Sequence, residues 1–224
     1  MKRVYGIYGA SGYGKEVYHL VKEVAEIESL SGYEIVFVDD ASNYDDLLGC
    51  RVLSYKDFMS LSSCNLSITI AIANGVIREK LTNKCINDKI NILNIKASNV
   101  VKMDEVKLGV GYILNPFVTL TSSIKIGKGF QANLYSYVAH DCVIGDYVTL
   151  APCVKCNGNV EIGNHVYIGT GVIIKQGRVG KPLKIGDRVT IQAGSFVTKN
   201  IPDGMTVFGN PAIELTKDNL KRRQ

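Results

Sequence analysis

A spacing of six dominates the second half of this 224-residue chain and leaves few folds open. The dipeptides Leu108-Gly109, Ile126-Gly127, Ile144-Gly145 and Ile162-Gly163 recur every 18 residues. Between them, every sixth position keeps one character: Leu108, Leu114, Leu120, Ile126, Ala132, Val138, Ile144, Leu150, Cys156, Ile162, Ile168 and Ile174. None is charged. A second set stands two residues earlier, running from Val106, Tyr112 and Val118 to Val160, Val166 and Val172. It is mostly apolar and often β-branched, which favours extended backbone. After an interruption the phase returns at Ile185, Ile191 and Val197. A helical period of 3.6 does not put aliphatics on a strict six. One short strand per six residues and three per 18 make a triangular parallel coil. Strands one coil apart then stack about 4.8 Å from each other, and every sixth side chain fills the prism. The position after each inward residue is mostly Gly, Asn, Ala or Thr, and Gly and Asn tolerate the tight turn of a corner.

Residues 1–98 carry a different pattern, so two domains are expected, 1–98 and 99–224. Arg3–Gly9, Glu34–Asp39, Leu66–Ile72 and Ile90–Ile95 are strand-like apolar runs. Gly14–Leu30 and Gly75–Asp88 are polar–apolar mixtures of helical length. This alternation predicts a small, open, Rossmann-like parallel sheet with helices. The loop after the first strand, Gly9-Ala10-Ser11-Gly12-Tyr13-Gly14-Lys15, is glycine-rich and opens a helix, where backbone N–H groups meet phosphate. The second strand ends in Asp39-Asp40, where such sheets place an acid near a ribose or base. Three readings stay open for this loop: an NAD(P) site, a plain turn without ligand, or a seat for the nucleotide part of another ligand.

Composition removes several classes. Lys+Arg minus Asp+Glu is 26 − 21 = +5, too weak and scattered for a nucleic-acid footprint. The one basic cluster is Lys221, Arg222 and Arg223. No apolar run approaches the roughly 20 residues of a membrane span. The start lacks the apolar stretch of an export signal, so a cytoplasmic protein is expected. Six cysteines are then expected as free thiols. Cys153 and Cys156 form a CxxC with no second pair and no nearby histidine pair, so no metal site is expected.

The hexapeptide register resembles the hexapeptide-repeat family, and that resemblance implies a left-handed β-helix. GASGYGKEV and VFVDD ahead of such coils resemble the bacterial nucleotide-sugar acetyltransferases. That group includes sialic-acid O-acetyltransferase-like proteins and enzymes acting on UDP-, GDP- and dTDP-linked 4-amino sugars. YGIYGASGYGKE, VFVDD, AIAN and NLYSYVAHDCVIGDYVTLAPCVKCNGNVEIG are most similar to the dTDP-4-amino-4,6-dideoxyglucose N-acetyltransferases of O-antigen synthesis. The resemblance implies acetyl-CoA as co-substrate, a homotrimer, and a nucleotide-linked amino sugar bound through Gly12, Tyr13, Gly14, Lys15, Asp39, Asp40 and Asn74. The family often has His where this chain has Tyr13. O-acetylation of a sialic-acid-type sugar, a UDP- or GDP-linked amine, and a trimeric scaffold without activity are the competing readings.

Three histidines are available. His19 is expected as a partly buried residue of the first helix, and His165 as an exposed corner residue. His140 lies two residues after inward Val138 and before Asp141. The resemblance makes it the catalytic base, through the motif HDCVIGD. A sugar amine is largely ammonium at neutral pH and attacks only once deprotonated, a task suited to imidazole. Asp141 either orients that ring or is a plain surface acid. Residue 158 is 140 + 18, so Gly158 stacks one coil from His140. It is either a corner glycine or, as the resemblance implies, the N–H donor to the thioester oxygen. Asn133 belongs to the family motif and holds a sugar hydroxyl or the amine, or is a corner residue. Between Ile174 and Ile185 lie 11 steps where the period wants six. The extra loop, with Lys175, Arg178, Lys181 and Lys184, is either a surface excursion or a seat for the anionic end of coenzyme A. VFGNPA, with Pro211, resembles the family's terminal segment beside the pantetheine. Because a thioester is already activated, direct attack in a ternary complex is expected; the trimer that the resemblance implies would place the catalytic His140 and the nucleotide domain in one chain and part of the coenzyme groove in the next.

Overall fold

The computed structural model describes residues 3–28, 32–61 and 64–221. Arg222 and Arg223 of the basic tail and the end of the Gly14–Leu30 segment lie outside them. The first part runs β1 (Arg3–Tyr8), α1 (Gly12–Glu28), β2 (Tyr33–Val38), β3 (Asp46–Leu47), β4 (Cys50–Leu53), α2 (Tyr55–Ser60), β5 (Asn65–Ile70), α3 (Gly75–Asn87) and β6 (Asn91–Ile92). The strand order is β3-β4-β2-β1-β5-β6, parallel except for the β3–β4 hairpin. α1 forms because Val17, Leu20, Val21 and Ala25 share one face and bury it. His19 falls off that stripe and is exposed, contrary to the partly buried position expected of it. The short β3–β4 hairpin, turning through Leu48 and Gly49 at φ 54° and 73°, and the six-residue α2, capped by Ser54, were not anticipated. Both are too short to show a period.

The sheet grows from β1 to β2 on one side and returns to β5 on the other. The loops after β1 and β5 therefore diverge and open a crevice at the carboxyl ends of these strands. Two residues of the glycine-rich loop have no freedom to change. A β-carbon on Gly14 would collide with the Gly9 carbonyl, and one on Gly9, at φ 114°, would sit 2.9 Å from the Ala71 carbonyl oxygen.

The remainder is a left-handed parallel β-helix. Among the described residues its strands form three sheets, here called faces one, two and three. Face one begins at Ile95–Lys96, which pairs with Ile113–Leu114, so Ile95 belongs to the coil and not to the last strand of the open sheet. Thr119–Leu120, Tyr137–Val138 and Lys155–Cys156 are typical of face two, and Val143–Ile144 and Val160–Ile162 of face three. The two inward registers are the buried core, from Leu114 and Val118 to Val172 and Ile174. Cys142 and Cys156 belong to it. Ser136 takes an inward place by donating to Ala151 O at 2.9 Å and accepting from Val154 N at 3.1 Å, which satisfies a hydroxyl that burial would otherwise penalise.

The corner between faces three and one is held by a side-chain ladder. Asp146 accepts from Lys128 N, Asn164 from Asp146 N, Asp187 from Asn164 N and Asp203 from Asp187 N, at 2.7–2.9 Å. Each rung ties one coil to the next where the backbone turns away from its own ladder.

The open sheet packs on face one. Ile95, Ala97 and Ile113 of the coil share a core with Tyr5, Val17, Leu20 and Phe37. Asn115 donates to the Tyr13 hydroxyl at 3.3 Å, Gln131 to Ile70 O at 2.8 Å and Thr149 to Ala73 O at 2.7 Å. His165, expected on the surface, has only 15% of its side chain exposed. Its ring stacks on Tyr147 and its Nε2 lies 3.3 Å from Glu79 of α3. Contact with the other domain, which no local pattern announces, buries it.

Candidate active site

His140 follows the face-two strand Tyr137–Val138 and precedes the face-three strand Val143–Ile144, so it stands on the vertex between those faces. Its Nδ1 lies 2.7 Å from Asp141 Oδ2. Asp141 has φ 58°, the tight corner conformation that turns its carboxylate back toward the ring. With Nδ1–H donated to Asp141, Nε2 keeps its lone pair. The imidazole and the carboxylate are 49% and 55% exposed. Gly158 lies directly beneath the ring, and a β-carbon there would be 2.6 Å from both Cε1 and Nε2. Asn159 N donates to His140 O at 3.0 Å and Gly177 N to Gly158 O at 2.9 Å, whereas no acceptor among the described residues takes the Gly158 N–H. Cys142 and Cys156 lie close below, fully buried. A hydrogen bond with Cys142, together with burial, pushes the Cys156 thiol well up.

The inserted loop continues the same vertex, one coil beyond Gly158. It projects, with Val179 90% exposed and Gly180 at φ 72°, and closes on itself through Arg178 and Lys181. Lys175, Arg178, Lys181, Pro182, Thr198 and Lys199 line a cavity there of about 310 Å³. Lys184 leaves this group and pairs with Glu161 on face three at 2.9 Å. Lys199, one coil further on, takes its place. Spacing within the loop does not mark it, because Lys199 reaches the cavity only through the stacking of the next coil. Pro211 occupies an exposed turn near the end of the coil and is not part of this cavity's lining.

The residues expected to hold the nucleotide lie elsewhere. Gly12, Tyr13 and Gly14 form the first turn of α1, whose N–H groups have no intrahelical acceptor, with exposed Lys15 beside them. The Tyr13 hydroxyl is engaged by Asn115, and burial pushes its pKa up. Asp39 accepts from Ala10 N and Ala41 N, both at 3.0 Å, and so braces the glycine-rich loop. Asp40 accepts from the Tyr8 hydroxyl at 2.6 Å and Tyr55 N at 2.8 Å. The Tyr8 hydroxyl holds the Asp40 carboxyl below the usual carboxylate range. Both acids therefore shape the pocket wall. Asn74 caps α3 by accepting from Ile77 N at 3.0 Å, and borders a cavity of about 420 Å³ with Gly75, His165, Tyr167 and Arg188. Asn133, one coil from Asn115, stands on the vertex between faces one and two. Its Oδ1 is buried without a hydrogen-bond partner among the described residues.

The topology separates these groups. The crevice of the open sheet rests on face one, and His140 occupies the vertex opposite that face. One face, about six residues or roughly 20 Å at 3.3 Å per residue, separates Asn133 from His140. Within one chain, His140 and the residues expected to hold the nucleotide thus lie toward different vertices of the prism. Within a single chain, His140, Gly158 and the cation-lined cavity share one edge, and the glycine-rich crevice and Asn133 lie toward another.

Comparison with known proteins identifies the family. The profile of the PglD N-terminal domain matches residues 6–85. GDP-perosamine N-acetyltransferase of Escherichia coli O157:H7 is 43% identical over 214 residues, covering 96% of this chain and 97% of that protein. The structure of WeeI from Acinetobacter baumannii AYE superposes with a TM-score of 0.90 at 52% identity, over 95% of this chain and all of that one. The acetyltransferase domain of PglB from Neisseria gonorrhoeae FA1090, in complex with acetyl coenzyme A, gives 0.83 at 28% identity, over 96% and 100%. Expected on sequence motifs and now supported over nearly its whole length, the assignment is plain: this chain belongs to the hexapeptide-repeat nucleotide-sugar N-acetyltransferases.

Proposed function

We propose that the protein moves acetyl from acetyl-CoA to the C4 amine of a nucleoside-diphosphate-linked 4-amino-4,6-dideoxysugar, with His140 as general base. The observation that carries this reading is the single edge on which an Asp141-oriented imidazole, a Gly158 N–H without an acceptor among the described residues and a cavity lined by four cations follow one another. Coils stack about 4.8 Å apart, so His140 and the inserted loop are about 10 Å apart along that edge, within the reach of an extended coenzyme. The phosphates sit among Lys175, Arg178, Lys181 and Lys199, and the thioester points down toward Gly158.

In this mechanism His140 Nε2 removes a proton as the amine attacks the thioester carbon. Asp141 holds Nδ1–H and stabilises the imidazolium. Gly158 N–H donates to the carbonyl oxygen as it gains charge, an interaction whose loss typically costs about 3 kcal/mol. The C–S bond then breaks, and the departing thiolate takes the proton. Cys142 and Cys156 have no access to the carbonyl, in keeping with direct transfer.

The substrate reaches His140 from a second copy. The diphosphate sits on the first turn of α1 with Lys15, and the buried Asn133 Oδ1 accepts from the sugar. Because this pocket lies across the prism from its own His140, a homotrimer in which the edges of neighbours meet completes the site.

The sequence motifs favour dTDP, and a second reading, GDP, is favoured by the relative at 43% identity named for GDP-perosamine. Thiol release measured over dTDP-, UDP- and GDP-linked 4-amino sugars is expected to show one nucleotide preferred at least tenfold. Activity confined to the corresponding hydroxy sugars would overturn N-acetylation.

Removing two cations tests the coenzyme end. The variant Arg178→Ala with Lys199→Ala is expected to raise KM for acetyl-CoA by about 10- to 30-fold, since two charge-assisted contacts at about 1 kcal/mol each amount to that factor. Its kcat stays within about threefold of wild type, because neither group reaches the reacting atoms. An unchanged KM would remove the loop from coenzyme binding.

A further inference from the structure

Arg78 is the largest fully buried side chain among the described residues, 1% exposed, and no carboxylate is among its hydrogen-bond partners. It stands in the first turns of α3, yet its guanidinium leaves that domain. On the nucleotide-domain side Nη1 donates to Ile72 O at 2.6 Å and Ala73 O at 3.0 Å. On the coil side Nε donates to Gly129 O at 2.8 Å, Nη1 to Gln131 Oε1 at 3.2 Å, and Nη2 to Tyr147 O at 2.8 Å and Val148 O at 3.3 Å. Burial lowers its pKa to about 10, so it keeps its charge at neutral pH. The planar fork thus joins the loop after β5 to two successive coils at once, which the single ammonium of lysine does not reproduce. The loop is held once more, through Thr149 to Ala73 O, and the end of β5 before it by Gln131 to Ile70 O.

A buried cation without a counter-ion is an expensive join, and an apolar contact would hold two domains together more cheaply. What an apolar contact lacks is direction. The loop in question is one wall of the nucleotide crevice and leads to Asn74. We propose that Arg78 is a positioning residue: it fixes the loop after β5 against the coil and so sets where the crevice presents its amino sugar relative to the partner copy's catalytic edge. This rests on the nucleotide-pocket reading given above.

The test compares Arg78→Lys, which keeps the charge without the fork, with Arg78→Met, which loses both. Wild-type thiol release and calorimetry with dTDP and GDP are measured first, and fail only if the nucleotide-pocket reading itself fails. Both variants are expected to bind the preferred diphosphate within about threefold of wild type and to leave KM for acetyl-CoA unchanged. Their kcat per folded site falls about 30-fold, in line with the cost of misplacing a reactant by about 1 Å. An unchanged kcat per folded site would reduce Arg78 to a stabilising contact and overturn the proposal. Diphosphate affinity lost in Arg78→Met but kept in Arg78→Lys would also overturn it, in favour of simple attraction of the phosphates. Should neither variant fold, Thr149→Val removes one hydrogen bond to the same loop. Its kcat is then expected to fall about fivefold with diphosphate affinity intact, and an undiminished kcat would refute the proposal.

Discussion

Replacing His140 by alanine is expected to lower kcat by at least about 100-fold while the protein remains folded and assembled. The magnitude follows from the task. A general base contributes about 10²- to 10⁴-fold, and 100-fold corresponds to about 2.7 kcal/mol of barrier. The imidazole is half exposed and adds little to the core, so its removal leaves the stacked aliphatics of the coil in place. Steady-state thiol release with the preferred amino sugar nucleotide, beside thermal melts and sizing, separates the two effects. Turnover close to wild type would dismiss His140 as the base and leave deprotonation to water. An effect on KM alone would place His140 in binding instead.

The second large effect is expected one coil away. Gly158→Ala puts a methyl group 2.6 Å from ring Cε1 and Nε2, closer than such contacts occur. The ring is the free end of an exposed side chain, so it swings aside at small cost to stability. If His140 is the base and Gly158 the donor proposed above, the resulting misplacement of the ring by about 1 Å lowers kcat by about 50-fold. KM for the nucleotide sugar stays near its wild-type value, because in the proposed trimer the nucleotide is held by the partner copy's pocket, which the substitution leaves untouched. The variant tells more than the histidine deletion, since every functional group is kept and only geometry changes. Turnover within threefold of wild type would show that the stacking of His140 on Gly158 has no part in catalysis.

The coil was legible because one environment is repeated. Each inward position meets the same neighbours one coil above and below, so a strict six survives in the residue types from Leu108 to Ile174. Arithmetic on that period also placed Gly158 beneath His140, and the surplus before Ile185 gave away the projecting loop. The cation set was harder to read. Lys184 has the right charge, but it follows the strand on to face three and meets Glu161, whereas Lys199 enters the cavity from the next coil. The acids of the first domain show another limit. Asp39 and Asp40 stand at the end of β2 as the pattern requires, yet both oxygens of each accept hydrogen bonds from the protein itself. Residue type and position announced a polar rim; the partners on that rim were set by Ala10, Ala41, Tyr8 and Tyr55, which no motif marks.

From its own periodicity the chain determined a three-sided coil, the residues that fill it and the alignment of a histidine with a glycine, because these depend on neighbours at a constant separation. Which face of the prism carries the first domain was decided only in three dimensions. The contacts that choose it run from Arg78 to the carbonyls of Gly129, Tyr147 and Val148, and from Thr149 to that of Ala73. Every residue offers a carbonyl, so such contacts leave no trace in residue type, and their choice of face one sets the first domain's crevice on the side of the prism away from His140.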